Sequence, residues 1–348
     1  MAERAYLDWN ATAPLRAEAR EAMIAAMDVV GNPSAVHAEG RAARALVEKA
    51  RGQLAAALGA DGCDIVFTSG ATEAAALALA GRGLVCAEVE HDAVRAWCAP
   101  DLAVDGQGRV SVPDPARAAL QAANSETGVI QELPERLAVS DLTQAFGKLP
   151  IAFNWLGCET GFVSAHKLGG PKGVGALILR PGLDIEARIR GGGQEMGRRS
   201  GTENVIGIAG FAAAAEAAAR DLADGVWESV AEIRNILEKT LADRAKETIF
   251  VGKGAARLPN TSCFATPGWK AETQVMQMDL AGFAVSAGSA CSSGKLRTGR
   301  VPLAMGLAPE TAAGALRVSI GPETRREDVL RFAEAWLARH EKFRARAA

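Results

Sequence analysis

Short apolar runs alternate with alanine-rich helical stretches over the first two thirds of the chain, and this alternation constrains the fold most. Ile65-Val66-Phe67 and the runs at 84–87, 118–123, 137–139, 162–163 and 174–179 are too short for buried helices and too apolar for loops. Strands separated by helices pair in parallel, because a parallel neighbour needs a long crossover. The pattern predicts an α/β fold with a mainly parallel sheet. Pro14 is expected to open a helix running towards Gly31, a second helix spans 41–58 ahead of Gly59, and Gly70-Ala71-Thr72-Glu73 starts a third.

After about Asn204 the texture changes. Alanine-rich helices cover most of 205–244, then strands follow at 249–251, 262–264, 283–285 and 316–318. A closing helix stands behind the capping-box pattern Thr324-x-x-Glu327. We place a large domain at 16–221, and a smaller α/β domain in 1–15 together with 222–348.

With 348 residues and a formal net charge of −2, the chain can bury sizeable cores, and its charge gives no reason to expect nucleic acid or an anionic membrane as partner. No apolar run is long enough to span a bilayer, and Met1-Ala2-Glu3-Arg4 leads into a strand-like segment without a signal-peptide core. A cytoplasmic protein is the expectation. Cys63, Cys86, Cys98, Cys158, Cys263 and Cys291 are scattered without a CxxC pair, so neither a zinc site nor a disulfide framework is expected. The first five read as small core or surface residues.

The chemistry gathers at strand ends. Ser164-Ala165-His166-Lys167 follows a strand and precedes a glycine-rich turn through Gly175. Small side chains there let a carbonyl cofactor approach a lysine that must form a Schiff base. A lysine in a turn is usually only solvated, so the remaining segments decide. Ser69-Gly70-Ala71-Thr72 offers a helix N-terminus to a phosphate. Asp141, past a strand end, suits a protonated pyridine nitrogen, or else a helix cap. Gln144 is placed to reach a ring hydroxyl, and His91 to stack on the ring and move protons. Thr72, His91, Asp141, Ser164, His166 and Lys167 share the carboxyl edge of the sheet, where parallel sheets bind ligands. Cys291 lies among small and hydroxylic residues, as a travelling nucleophile would, with Lys295 and Arg297 near enough in sequence to favour a thiolate. Arg317, flanked by apolar strand residues, reads as a grip on a carboxylate or as an interdomain salt bridge.

Taken in order, these segments resemble the cysteine desulfurases, fold-type I pyridoxal-phosphate enzymes related to the class V aminotransferases. The matching stretches are YLDWNATAP from Tyr6, GNPSAVHAEGR from Gly31, FTSGATE from Phe67, EHDAV from Glu90 and NSETGVIQ from Asn124. They continue with DLTQAFGKLPI from Asp141, SAHKLGGPKGVGAL from Ser164, GGGQEMGRRSGTENV from Gly191, AVSAGSACSSGK from Ala284 and LRVSIG from Leu316. The resemblance implies a seven-stranded, mainly parallel sheet, with Lys167 holding pyridoxal 5′-phosphate as a Schiff base. It further implies His91 on the ring, Asp141 at its nitrogen and Gln144 at its phenolic oxygen. Ala71, Thr72, Ser164 and His166 would hold the phosphate, joined by Thr202 from the other subunit of a homodimer. Arg317, Asn124 and Ser125 would bind substrate, Cys291 would take the sulfur, and a sulfur-acceptor protein, such as an iron–sulfur scaffold, would receive it.

The chain departs from the family pattern at five places. Ser125 stands where a second asparagine is usual, Ala165 replaces a glycine, and Arg190 replaces a histidine. The segments 110–118 and 131–137 are each too short for the helix the family carries there. The implied activity is desulfuration of L-cysteine to alanine. The alternatives are a selenocysteine lyase, another class V lyase or aminotransferase, and a non-catalytic binding paralogue.

Overall fold

The computed structural model describes residues 4–288 and 299–347. From the N-terminus, β1 (Ala5–Tyr6) is followed by an extended stretch and then by α1 (Ala17–Met27). Pro14 therefore does not open the helix. The intervening N–H groups serve another partner: Ala13 N donates to His166 O and Arg16 N to Gly169 O, both at 2.9 Å, which holds the stretch extended against the lysine turn. α2 (Ala38–Leu58) ends at Gly59, whose φ of 58° brings it so near Ala152 that an added Cβ would lie 2.8 Å from that Cα.

The sheet is built from β2 (Asp64–Thr68), which leads into α3 (Ala71–Leu79), and from β3 (Val85–Ala87), α4 (Asp92–Arg95) and β4 (Ala99–Leu102). β5 (Ala119–Gln121), β6 (Val139–Asp141), β7 (Thr160–Ser164) and β8 (Gly175–Leu179) complete it. Five strands pair in the order β2-β8-β7-β6-β5, with β8 antiparallel to both neighbours and the other pairings parallel. A parallel bridge from Val85 to Ala118 attaches the parallel pair β3–β4, giving the expected seven strands.

Alternation along the strands separates two layers. Ile65, Phe67, Val163, Ala176 and Ile178 pack with α2 and with residues of α5 (Val205–Ala223). Val66, Phe162, Leu177 and Leu179 face α3.

Gly225, at φ 72°, separates α5 from α6 (Val226–Arg244). The remaining chain forms β9 (Ile249–Phe250), β10 (Thr261–Ala265), α7 (Ala271–Leu280), β11 (Phe283–Ala284) and β12 (Ser286–Ala287). Then come α8 (Arg300–Ala304), α9 (Pro309–Ala312), β13 (Ala315–Ser319) and α10 (Arg326–Ala347). An antiparallel sheet runs β12-β13-β10-β9, and β1 pairs with β11. The strand expected at 283–285 is thus divided at Val285 between two sheets. Phe264, Trp269, Phe332 and Trp336 form the core under this part. The expected capping box is also corrected. α10 starts at Arg326, and the Thr324 hydroxyl accepts from Gly321 N at 3.0 Å, tightening the turn before the helix.

Residues 110–118 hold only a single 3-10 turn (Pro115–Arg117), and 131–137 hold no helix. Loops close this flank. Gln131 accepts from Val110 N and donates to Gly108 O, while Ile130 N reaches Ala256 O and Val129 bridges Arg257. Trp155 stays exposed nearby. No helix among the described residues is long and apolar enough to cross a membrane.

Candidate active site

The carboxyl ends of β2, β6 and β7, with the turn after β3, surround a cavity of about 490 Å³. Ala71, Thr72, His91, Ser125, Asp141, Gln144, Ser164, His166, Lys167 and Arg317 all line it. Residues separated by up to 246 positions are brought together by one sheet edge and by β13.

At one end, β2 turns into α3 through Ser69-Gly70. Gly175 on β8 must be glycine here, since a Cβ would come within 2.7 Å of Gly70 Cα. That close packing sets the first turn of α3 beside Ser164 and His166. The Glu73 carboxylate of that turn accepts from Ser69 N at 2.8 Å and pairs with Arg199 at 2.8 Å, so its charge is compensated from outside. Burial, then the charges of Lys167, Lys172 and Lys148, push the His166 imidazole down to about 4. It is therefore neutral at neutral pH, with Nδ1 3.2 Å from the Thr12 hydroxyl. Helix N–H groups, hydroxyls and lysine ammoniums make this end fit a phosphate.

Lys167 sits in a 3-10 turn (Ala165–Lys167), its Nζ donating to Asn10 O at 2.6 Å and Ala11 O at 2.9 Å. Across the cavity Asp141 Oδ1 accepts from Thr143 N at 2.9 Å. Burial raises the Asp141 carboxyl above its ordinary range, against the pull of that hydrogen bond and of His91 and Lys167. A cationic ring nitrogen beside it would offset the desolvation. His91 caps α4, its Nδ1 accepting from Ala93 N at 3.1 Å, which places the proton of the neutral ring on Nε2. The Thr143 hydroxyl and Arg317 Nε, both at the cavity wall, are buried without a hydrogen-bond partner. Arg317 otherwise pairs with Asp8 at 2.7 Å and donates to Ser125 O at 2.9 Å. Both of its expected roles are compatible with this geometry, because the structural pair leaves donors over.

Asn124 does not line the cavity. Its Nδ2 donates to Val89 O, and its Oδ1 accepts from Glu126 N, Thr127 N and the Thr127 hydroxyl, so the amide is spent on the loop after β3 and on its own turn. Thr202 is exposed and does not line the cavity either. Cys291 lies outside the described residues.

Asn10, Thr143, Lys148 and Glu90 escaped the reading of roles from sequence. Lys148 carried one signal, a lysine inside the apolar run Ala145-Phe146-Gly147-Lys148-Leu149. Glu90 is fully buried; Oε1 accepts from Gln121 N at 2.8 Å, and Oε2 has no partner. Burial, and then the nearby Asp141 charge, push its pKa well above the ordinary range. Glu90 is thus protonated more readily in the fold than in the unfolded chain, and its contribution to stability falls as pH rises from the unfolded value near 4.3 towards the raised folded one. Glu90→Gln removes that cost. The variant is expected to unfold at higher temperature than the parent at pH 8, with the gap closing towards pH 4.5. An equal gap at both pH values in thermal unfolding would show that Glu90 is ionised in the fold.

The class-V aminotransferase family model matches residues 5–332. A cysteine desulfurase IscS of Dictyoglomus turgidum is 36% identical over 94% of this chain and 92% of its own length. A cysteine desulfurase of Cereibacter sphaeroides is 37% identical, over 95% and 94%. The solved structure of a NifS-like protein from Rickettsia africae superposes with a TM-score of 0.89 at 31% identity, covering 97% of this chain and 100% of that one. This family uses pyridoxal phosphate, which the phosphate-fitting end, the buried carboxylate and the cavity lysine accommodate. Fold, cavity and extent of match agree that the chain belongs to the cysteine desulfurases of the class-V aminotransferase family.

Proposed function

We propose that this protein is an L-cysteine desulfurase, converting L-cysteine to L-alanine and leaving the sulfur as a persulfide on Cys291. The observation that carries the reading is the cavity itself, which sets Lys167 and Asp141 against a phosphate-fitting end and Arg317. Pyridoxal phosphate, when bound, supplies an electron sink for the pair released at the substrate Cα. Lys167 would hold the cofactor covalently and, as a free amine, would take the substrate Cα proton. Asp141 would keep the ring nitrogen protonated, and Gln144 would donate to the ring oxygen. Ala71, Thr72, Ser164 and His166 would hold the phosphate. Arg317 would take the substrate carboxylate beside Ser125, and His91 would lie against the ring. The Cys291 thiolate would attack the substrate sulfur, the S–S bond forming as the Cβ–S bond breaks with its electron pair left on carbon, and Cβ and Cα would each take a proton to give alanine.

A second copy of the chain would bring Thr202 to the neighbouring phosphate. The turn that carries Thr202 is tied to its own β2 by Glu195, which accepts from Phe67 N at 2.9 Å and pairs with Arg51 at 2.8 Å. Exposed Ile189 and Met196 beside it are apolar surface that a homodimer would cover. The sulfur then passes to an acceptor protein, in a cytoplasm that keeps thiols reduced. The test supplies purified protein with pyridoxal phosphate, L-cysteine and a thiol reductant. Alanine and sulfide in equal amounts are expected. Pyruvate, or amino transfer to a keto acid, would replace the reading with another class V reaction, and faster turnover of selenocysteine would make it a selenocysteine lyase.

A further inference from the structure

Lys148 is a buried amine with no carboxylate in hydrogen-bond reach among the described residues. Its Nζ lies 3.0 Å from Asn10 Oδ1 and 2.6 Å from Gln144 Oε1, and the residue is 3% exposed. Burial, and then the charges of Lys167 and Arg317, hold its pKa well below the ordinary range, and both of the acceptors it reaches are uncharged amide oxygens. Such a group costs stability that an apolar side chain of its length would not. What it does is fix two amides. Asn10 Nδ2 donates to Ser125 O at 3.1 Å, which turns its Oδ1 to Lys148. Gln144 Nε2 donates to Asn10 O at 3.0 Å, which turns its Oε1 to Lys148. The same Asn10 carbonyl receives Lys167 Nζ.

We infer that Lys148 is a positioning residue for the cofactor: from beneath the cavity it fixes the Gln144 amide, with the Asn10 side chain as its second acceptor, so that Gln144 offers a donor to the ring oxygen. This rests on the pyridoxal-phosphate site proposed above. Without the Lys148 amine, Gln144 Oε1 is left buried without a donor, and the amide loses the contact that fixes its orientation towards the cavity.

The experiment measures pyridoxal-phosphate affinity, by equilibrium dialysis on cofactor-stripped protein, for wild type, Lys148→Met, Gln144→Leu and the double variant. Lys148→Met is expected to weaken binding about tenfold, the effect of one lost hydrogen bond. The double variant should bind no more weakly than Gln144→Leu, because the lysine acts through the glutamine. The absorbance of the bound cofactor should shift in the same direction in both single variants. A merely structural lysine would lower the unfolding temperature of the stripped protein without shifting the absorbance of the bound cofactor. Unchanged affinity in Lys148→Met, or losses that simply add in the double variant, would overturn the inference. Should Lys148→Met not fold, Lys148→Gln, one atom shorter, is compared in its place with the same criteria. Failure of the desulfurase reading would show separately, as wild-type protein that binds pyridoxal phosphate yet releases no alanine from cysteine.

Discussion

Lys167→Ala is expected to lose borohydride-reducible cofactor altogether and to lower alanine formation at least about a thousandfold, because one side chain supplies both the covalent link and the general base. The fold should survive. The two carbonyls that receive Nζ, those of Asn10 and Ala11, border a cavity from which water can replace the amine. The turn itself is held by backbone contacts, with Leu168 N and Gly170 N both donating to Ala165 O. Two other amines stand close enough to mislead. Lys172 lines the cavity, and burial holds the Lys148 pKa well below the ordinary range, which favours its nucleophilic form. Peptide mapping of the borohydride-reduced protein decides between them. Label at Lys148 or Lys172 in the wild type would reassign the Schiff-base residue, and full activity of Lys167→Ala would end the proposed role.

Much of the site was legible because strand ends announce themselves. An apolar run that stops at Asp141, at Ser164 or just before His91 marks where side chains leave the sheet, and in a parallel sheet those exits share one edge. What could not be read was which polar side chains turn inward to support the others. Asn10 and Asn124 look alike in sequence. Asn10 joins Lys167, Gln144 and Lys148, whereas Asn124 spends its amide oxygen on the turn at 124–127 and its nitrogen on Val89 O. That difference comes from long-range contacts, Asn10 also being tied to Thr261 and Asn260 some 250 positions away. Pro14 misled for a related reason. Local propensity favours a helix start, but Ala13 and Arg16 make backbone bonds to the lysine turn, and those fix the chain as extended. The two shortened segments were legible as absences of room for a helix. How their flank closes, through Gln131 and the loop around Ala256, depends on partners far along the chain.

Cys291→Ser is expected to leave cofactor binding and the spectral response to cysteine unchanged while alanine and sulfide formation fall by a factor on the order of a thousand or more. A serine hydroxyl is not ionised near neutrality and is a poor nucleophile towards sulfur, so a change of one atom removes the acceptor and little else. The described residues before and after this segment contact residues that line the site or adjoin its lining. Ser286 donates to Asp8 at 2.7 Å, and Asp8 pairs with Arg317. Arg300 donates to the carbonyls of Glu88 and Glu90, directly before His91. Five residues of chain reach at most roughly 17 Å, so Cys291 starts from Ser286 within range of a substrate held by Arg317. Its neighbours, Ala290 and Ser292, give a core little to pack. Unfolding temperature should therefore change by less than the equivalent of about 0.5 kcal/mol. Two results would count against the proposal in different ways. Wild-type turnover by Cys291→Ser would mean that the sulfur leaves without an enzyme persulfide. A marked loss of stability, with turnover lost in proportion to the unfolded fraction, would mean that the thiol serves packing and that the acceptor lies elsewhere, because only a nucleophile's loss separates chemistry from stability.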